Sequence, residues 1–308
     1  MNASNQGHAQ DELATGAASP LVPFIENILD SLANVAPEKR ADLMKLLSEQ
    51  RAKINLKYSP GFLFSADPGT KRIEMSLRGL EFLWAAAYMF YVVYNACARS
   101  STKGEGYLKF DQDEGCQIGL RLYKWASDNL IASVASPWPK TLPCPSKGMA
   151  SDSLENVVTE LFLCAAAWIL HHELAHITLD HVEGSAISIL QEKEADEEAT
   201  RWILEDCPDV SSCEKRELGI AIAILVLTSL DYTRGTFESA SHPRSYQRLF
   251  DAFVDTIKEE DHRVYGFIIV IMKAYLDRYG IETQEDPTRT YFACFQEYCK
   301  VLARVGRS

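Results

Sequence analysis

Cys-x-x-Cys motifs, uncharged runs of membrane-spanning length and a recognisable secretory signal are not found in this sequence of 308 residues. Its eight cysteines contain no Cys-x-x-Cys, which excludes a cysteine-based zinc site and a dithiol redox motif, so we expect reduced core residues. The charge-free run Phe82–Tyr94 resembles a membrane span, but its thirteen residues are too few to cross a bilayer. No basic start followed by an apolar run opens the sequence, and we therefore expect a cytoplasmic protein without a membrane span.

Basic residues are also in deficit. The chain has 31 Lys and Arg against 43 Asp and Glu, which gives a net charge of −12 and a pI near 5.1. This charge argues against nucleic acid or an anionic membrane surface as the main partner and leaves a protein substrate open. With 47% hydrophobic and 24% charged residues and no internal repeat, the composition is typical of a globular protein of one or two domains.

Histidine is scarce as well, with seven in the chain, yet residues 172–176 read His-Glu-Leu-Ala-His. Side chains four apart share a helix face, so His172 and His176 can reach one metal ion, and Glu173 stands beside them as a general base for an attacking water. The run Leu161–Leu170 leads into the motif without glycine or proline, which predicts a buried helix. Buried histidines and a glutamate are costly unless paired, and a Zn²⁺ ion would remove that cost.

A zinc site of three ligands needs one more donor, and residues 192–198 read Glu-Lys-Glu-Ala-Asp-Glu-Glu. Taken alone, this acidic segment is an ordinary solvated helix face. After the first motif, however, Glu-x-x-Ala-Asp resembles the gluzincin peptidases. The resemblance implies that Glu192 is the third zinc ligand and that Asp196 orients His172 by accepting its second ring proton. Glu194 is the alternative ligand.

Residues 242–248 provide a third match, because they read His-Pro-Arg-Ser-Tyr-Gln-Arg and resemble the His-Pro-x-x-x-x-Arg element of membrane-associated and heat-shock members of that clan. The resemblance implies that His242 donates a hydrogen bond to the oxyanion of the reaction and that Arg248 holds nearby carboxylates. The alternative is a loop followed by a helix start, which is the usual meaning of a His-Pro pair. Since some members of the clan are membrane proteins, membrane association also stays open.

The three elements together span residues 157–253, and their strings resemble the Lit peptidases of phage exclusion. Known members of that family cut elongation factor Tu, so the resemblance implies a suicide protease with this substrate and a phage-derived activator. Repressor-cleaving ImmA-type peptidases share a similar core but usually carry asparagine at the position of Asp196. A zinc-containing interaction protein without turnover is a further alternative, against which the intact Glu173 argues.

The expected fold is mainly α with a small β-sheet, an α+β arrangement around the zincin-like core that the resemblance implies. Alternating apolar residues and turn signals within residues 53–76 predict strands and a hairpin, which either offers an edge to an extended substrate or is purely structural. Apolar periodicity predicts late helices at residues 214–232, 243–259, 263–279 and 286–304.

The predicted organisation has a disordered terminus at residues 1–20, a helical and β-hairpin region at 21–135, and a catalytic region at 154–308. Residues 136–153 contain four prolines and form a loop, which either links two halves or covers the cleft as a lid. Two further histidines flank the motif. We expect His171 to serve packing or a local hydrogen bond and His181 to cap the helix end.

Overall fold

The computed structural model describes residues 19–102, 108–182, 188–234, 243–278, 280–283, 286 and 288–305. In this part of the chain, ten α-helices accompany one sheet of three short strands, which confirms the prediction of a mainly α fold with a small sheet. The helices are α1 (Ile25–Asn34), α2 (Arg40–Gln50), α3 (Leu77–Thr102), α4 (Glu114–Ile131), α5 (Leu154–Thr178), α6 (Ser188–Leu204), α7 (Val210–Arg234), α8 (Ser245–Val254), α9 (Arg263–Arg278) and α10 (Tyr291–Val305). The strands are β1 (Lys53–Lys57), β2 (Phe64–Asp67) and β3 (Arg72–Ser76).

The sheet contains a hairpin, but not between the two alternating runs from which it was predicted, and its strand order is β1-β3-β2. The two alternating runs of the sequence become β1 and β3, which pair in parallel, and the hairpin is formed by β2 and β3. Strand β2 shows no alternation of burial, so periodicity did not reveal it. The Asp67 side chain accepts a hydrogen bond from the Thr70 N–H at 3.0 Å and thereby closes the hairpin turn.

Helix α5 is the central element and packs against α1, α3, α6, α7 and β2. It begins where the Ser153 hydroxyl accepts a hydrogen bond from the Asn156 N–H, an N-cap that satisfies one of the free donors of the first turn. Among the described residues, α5 is the one helix long and apolar enough to cross a membrane. Since 83% of its most apolar window is buried inside the protein, it has the surroundings of a core helix.

Three examples illustrate the contacts that hold α5 against its neighbours. The Trp168 indole donates a hydrogen bond to the Thr200 hydroxyl at 3.0 Å and so joins α5 to α6. Gly219 of α7 lies against Cys164 so closely that an added Cβ would stand 3.0 Å from its carbonyl carbon. Lys71, in the hairpin turn, donates to the Ile177 carbonyl at 3.2 Å, where a cation satisfies the negative end of the helix.

The four helices predicted after residue 206 are present as α7 to α10. Two of them are shorter than expected. Helix α8 ends at Val254, and α10 begins only at Tyr291, because Asp286 accepts a hydrogen bond from the Thr288 N–H and forms a turn there.

The proline-rich segment 136–153 forms no helix or strand, and its Trp138 ring packs between Trp84 and Trp125. One continuous core includes buried residues from both sides of this segment. The division of the chain into an N-terminal and a catalytic region stays a prediction. Residues 1–18 of the predicted disordered terminus lie outside the described residues.

The prediction that all eight cysteines are reduced is wrong for two of them. Cys207 and Cys213 form a disulfide with their Cα atoms 5.7 Å apart, across the short connection from α6 to α7. Their spacing of six residues matches none of the pair motifs that were sought, so the sequence did not single them out. The other cysteines are free, and Cys116, Cys164 and Cys299 are buried in the core as expected.

Candidate active site

The two motif histidines lie on one face of α5 and meet a carboxylate from α6. Their Nε2 atoms are 3.1 Å apart. The carboxylate oxygens of Glu192 stand 3.4 Å from Nε2 of His172 and 3.5 Å from Nε2 of His176. Within the described residues, these three form the one group of three or more donor side chains that could hold a metal ion.

These separations fit a tetrahedral zinc ion. Bonds of about 2.0–2.1 Å to nitrogen and oxygen require donor atoms about 3.3 Å apart, close to the separation of the two nitrogens. The Glu192 carboxylate reaches one nitrogen through Oε2 and the other through Oε1, and one ligand atom from each of the three residues lies within 4.8 Å of the others. Glu194, the alternative ligand, turns away from this point, and its carboxylate lies 3.3 Å from Nε2 of His181. The structure therefore brings Glu192, and not Glu194, to the two motif histidines.

A buried ion pair stands behind His172. Its Nδ1 atom lies 2.9 Å from the Asp196 carboxylate, which also accepts two hydrogen bonds of 2.7 Å from the Arg248 guanidinium. The guanidinium in turn lies 5.8 Å from the centre of the Trp168 ring, within cation–π range. Asp196 can thus orient His172 while Arg248 supplies the charge that makes a buried carboxylate tolerable.

The surroundings set the protonation of the two motif histidines. Burial disfavours a charged His172, but the adjacent carboxylates of Asp196 and Glu192 outweigh it and raise its pKa to about 9. Burial, together with the charge on His172, lowers the pKa of His176 to about 4. The two pKa values differ because His172 has a carboxylate beside each ring nitrogen, whereas His176 has a carboxylate beside Nε2 and the His181 ring beside Nδ1.

Glu173 lies next to this pair and is also buried. Burial raises the pKa of its carboxyl, while the charge of His172 and a backbone hydrogen bond from Ala66 of β2 oppose that shift. A carboxylate with a raised pKa is suited to take and return a proton near neutral pH.

A cleft of about 590 Å³ opens in front of Glu173 and the histidines. Its lining includes residues of β2, with Phe62 before them, and Leu227, Leu230 and Asp231 of α7. Among the described strands, β2 is an edge strand, since β3 is its one partner. Residues 136–153 do not line this cleft, so the structure gives the proline-rich loop no position as a lid.

The sequence also gave predictions for three histidines outside the ligand group, and they compare differently with the structure. His242 lies outside the described residues. The buried His171 ring faces the Leu32 carbonyl at 2.9 Å and stacks on Trp202, so it serves packing. His181 was predicted to cap the helix, but its Nδ1 atom lies 2.8 Å from Nδ1 of His176. Sequence reasoning missed this contact because a spacing of five residues is not a helix-face spacing.

Comparisons with known proteins extend the similarity well beyond these residues. The family profile described as peptidase U49 matches residues 73–268. The chain is 32% identical over 241 residues to the "Cell death peptidase" of Escherichia coli (strain K12), and the alignment covers 75% of this chain and 80% of that protein. No solved structure matches, so the zincin-like core stays a prediction. The resemblance to Lit-type peptidases is thus confirmed at the level of the family, and the chain belongs to peptidase family U49.

Proposed function

We propose that this peptidase is a zinc-dependent endopeptidase that hydrolyses a peptide bond in a cytoplasmic protein. The observation that carries the proposal is the meeting of His172, His176 and Glu192 at separations of 3.1–3.5 Å beside the buried Glu173. Two imidazoles and one carboxylate leave a fourth position of a tetrahedral ion open, which is the arrangement of a catalytic rather than a structural zinc site.

The residues around the ligands have separate roles in this proposal. Glu173 removes a proton from the attacking water and delivers it to the leaving amine. Asp196 and Arg248 hold His172 in one orientation. A zinc ion, when bound, supplies Lewis-acid chemistry that acidifies the water and polarises the scissile carbonyl. His242 is proposed to donate a hydrogen bond to the oxyanion that develops on that carbonyl.

The proposed substrate is elongation factor Tu, cut by a dormant suicide protease that awaits a phage-derived activator. The name of the similar Escherichia coli protein, "Cell death peptidase", supports a role that harms the host cell. The cleft beside edge strand β2 supports an extended peptide as ligand, because an exposed strand edge can pair with a substrate backbone.

Glu173→Gln tests the catalytic role. The amide keeps the size of the side chain but cannot act as a base, so we expect unchanged zinc content and a loss of cleavage of a hundredfold or more. His176→Ala is the matched comparison, and we expect it to lose both zinc and cleavage. Cleavage at the wild-type rate by the Glu173→Gln protein, measured by gel analysis of substrate, would exclude Glu173 as the base.

The substrate is tested by co-expression with elongation factor Tu and, in parallel, with the repressor of a neighbouring gene. Each is compared with the Glu173→Gln protein, so that cutting by other proteases is subtracted. Shortening of elongation factor Tu alone is the expected result. Shortening of the repressor alone would replace the proposed substrate and retain the peptidase mechanism.

A further inference from the structure

The second nitrogen of His176 has a partner that the catalytic scheme does not use. Since Nε2 of His176 faces His172 and Glu192, its Nδ1 atom points the other way and lies 2.8 Å from Nδ1 of His181. An imidazole that coordinates a metal through Nε2 carries its proton on Nδ1. His176 is therefore the donor of this hydrogen bond, and His181 is the acceptor.

The other side of the His181 ring meets an acid. When Nδ1 of His181 accepts, its proton is on Nε2, and that atom lies 3.3 Å from the Glu194 carboxylate. His181 is buried, whereas 48% of the Glu194 side chain is exposed. The contact with Glu194 has ion-pair distance without hydrogen-bond geometry, so Glu194 favours a proton on Nε2 of His181 through its charge. Glu194, His181 and His176 thus form a row of polar contacts that leads from solvent to the ligand group.

Backbone contacts hold His181 in this position. Its N–H donates to the His176 carbonyl at 3.1 Å, which ties it to the end of α5. The next residue, Val182, is held by α6, because the Gln191 amide, oriented to satisfy both groups, donates to its carbonyl at 3.1 Å and accepts from its N–H at 3.0 Å. The backbone at His181 and Val182 is therefore held by both helices that supply the ligands.

We propose that His181, oriented by Glu194, is a positioning residue that fixes the tautomer and orientation of His176 and strengthens it as a zinc ligand. It would do for His176 what Asp196 does for His172, with an imidazole as the acceptor instead of a buried carboxylate. The inference rests on the proposed zinc site and adds the residues that tune its affinity.

The test is zinc affinity, measured by competition with a chromophoric chelator. Loss of an outer hydrogen-bond partner typically weakens metal binding 10–100-fold, so we expect that range for His181→Ala. His181→Asn places an amide oxygen near the position of Nδ1 and should recover most of the affinity. Glu194→Ala should lose less than His181→Ala, because solvent screens a half-exposed carboxylate. Glu197→Ala, an exposed acid of the same helix, is the matched control and should bind zinc as the wild type does.

A spectroscopic readout separates positioning from a general loss of structure. With cobalt in place of zinc, the visible absorption reports ligand geometry, and we expect it to change in His181→Ala and to return in His181→Asn. If the wild type binds zinc and His181→Ala binds it within about twofold, or if His181→Asn is as weak as His181→Ala, the inference is wrong. Absence of zinc binding by the wild type would instead overturn the proposed metal site, and this inference with it.

Discussion

At the scale of single residues, the consecutive positions 171–173 of α5 have different pKa shifts because their neighbours differ. Burial lowers the pKa of His171 to about 4, and its ring faces the Leu32 carbonyl. Contacts with two carboxylates overcome burial at His172 and raise its pKa to about 9. Burial raises the pKa of Glu173. Chemistry therefore depends on the surroundings of each side chain as much as on the motif.

The neutral, buried His171 makes stability depend on pH. Its folded-state pKa of about 4 is below the unfolded value of 6.5, so the unfolded chain binds the extra proton. The contribution of His171 to the free energy of unfolding is therefore fully present above pH 6.5 and is lost as the pH falls toward 4. Each factor of ten in acidity corresponds to about 1.4 kcal/mol, so we expect wild type to lose about 3 kcal/mol more than His171→Gln over this range. Urea unfolding of both proteins in chelator gives the comparison, and equal pH slopes would contradict it.

Because the Asp196–Arg248 ion pair is buried, we expect a single substitution in it to lower the free energy of unfolding strongly. Arg248→Ala leaves a buried carboxylate without its charge partner, which typically costs about 3–5 kcal/mol in unfolding free energy. Arg201→Ala is the matched control, since this arginine forms exposed ion pairs on α6 and should cost less than about 1 kcal/mol. Both are measured by urea denaturation, and similar losses in the two variants would show that burial of the pair has little energetic weight.

At the scale of elements, the site depends on how closely α7 approaches α5. An alanine at Gly219 would press its Cβ against Cβ of Cys164 and come within 3.1 Å of the Ala165 nitrogen, so the helices would have to separate. We expect a loss of about 1–3 kcal/mol for Gly219→Ala, although alanine by itself favours a helix. The change is measured as the midpoint and slope of urea unfolding.

Gly119→Ala provides the matched control for this crossing. Gly119 is also inside a helix, but its nearest neighbour is the sulfur of Met89 at 3.0 Å, the mobile part of a long side chain. Here the gain in helix propensity should offset most of the packing cost. A loss in Gly119→Ala as large as that in Gly219→Ala would refute a special role for the α5–α7 contact.

The helices of the site could be predicted from the sequence, because their cause is local. An apolar run without helix breakers and a spacing of four are enough to predict α5 and the shared face of His172 and His176. Contacts between elements were harder to predict from the sequence. Strand β2 lacks alternation, and the parallel pairing of β1 with β3 depends on tertiary packing. The contact of His181 with His176 depends on a turn beyond the helix, for which spacing rules give no geometry.

At the scale of the whole molecule, a continuous core fixes the distance between the two helices that supply the proposed metal ligands. Helix α5 supplies the histidines from the centre of that core, and α6 brings Glu192 across to them through the Trp168–Thr200 hydrogen bond. Membership of peptidase family U49 agrees with an enzyme built around this helix, since the family profile spans residues 73–268. The distance between donor atoms is thus a property of the complete fold.

The most direct test of the proposed zinc site is metal content, measured by mass spectrometry on the purified wild type and on His176→Ala and Glu192→Ala. We expect about one zinc per chain in the wild type and its loss in both variants, because a three-ligand site does not retain the ion tightly with two. Absence of zinc from the wild type after zinc is added back, or full retention by both variants, would contradict a metal site at His172, His176 and Glu192.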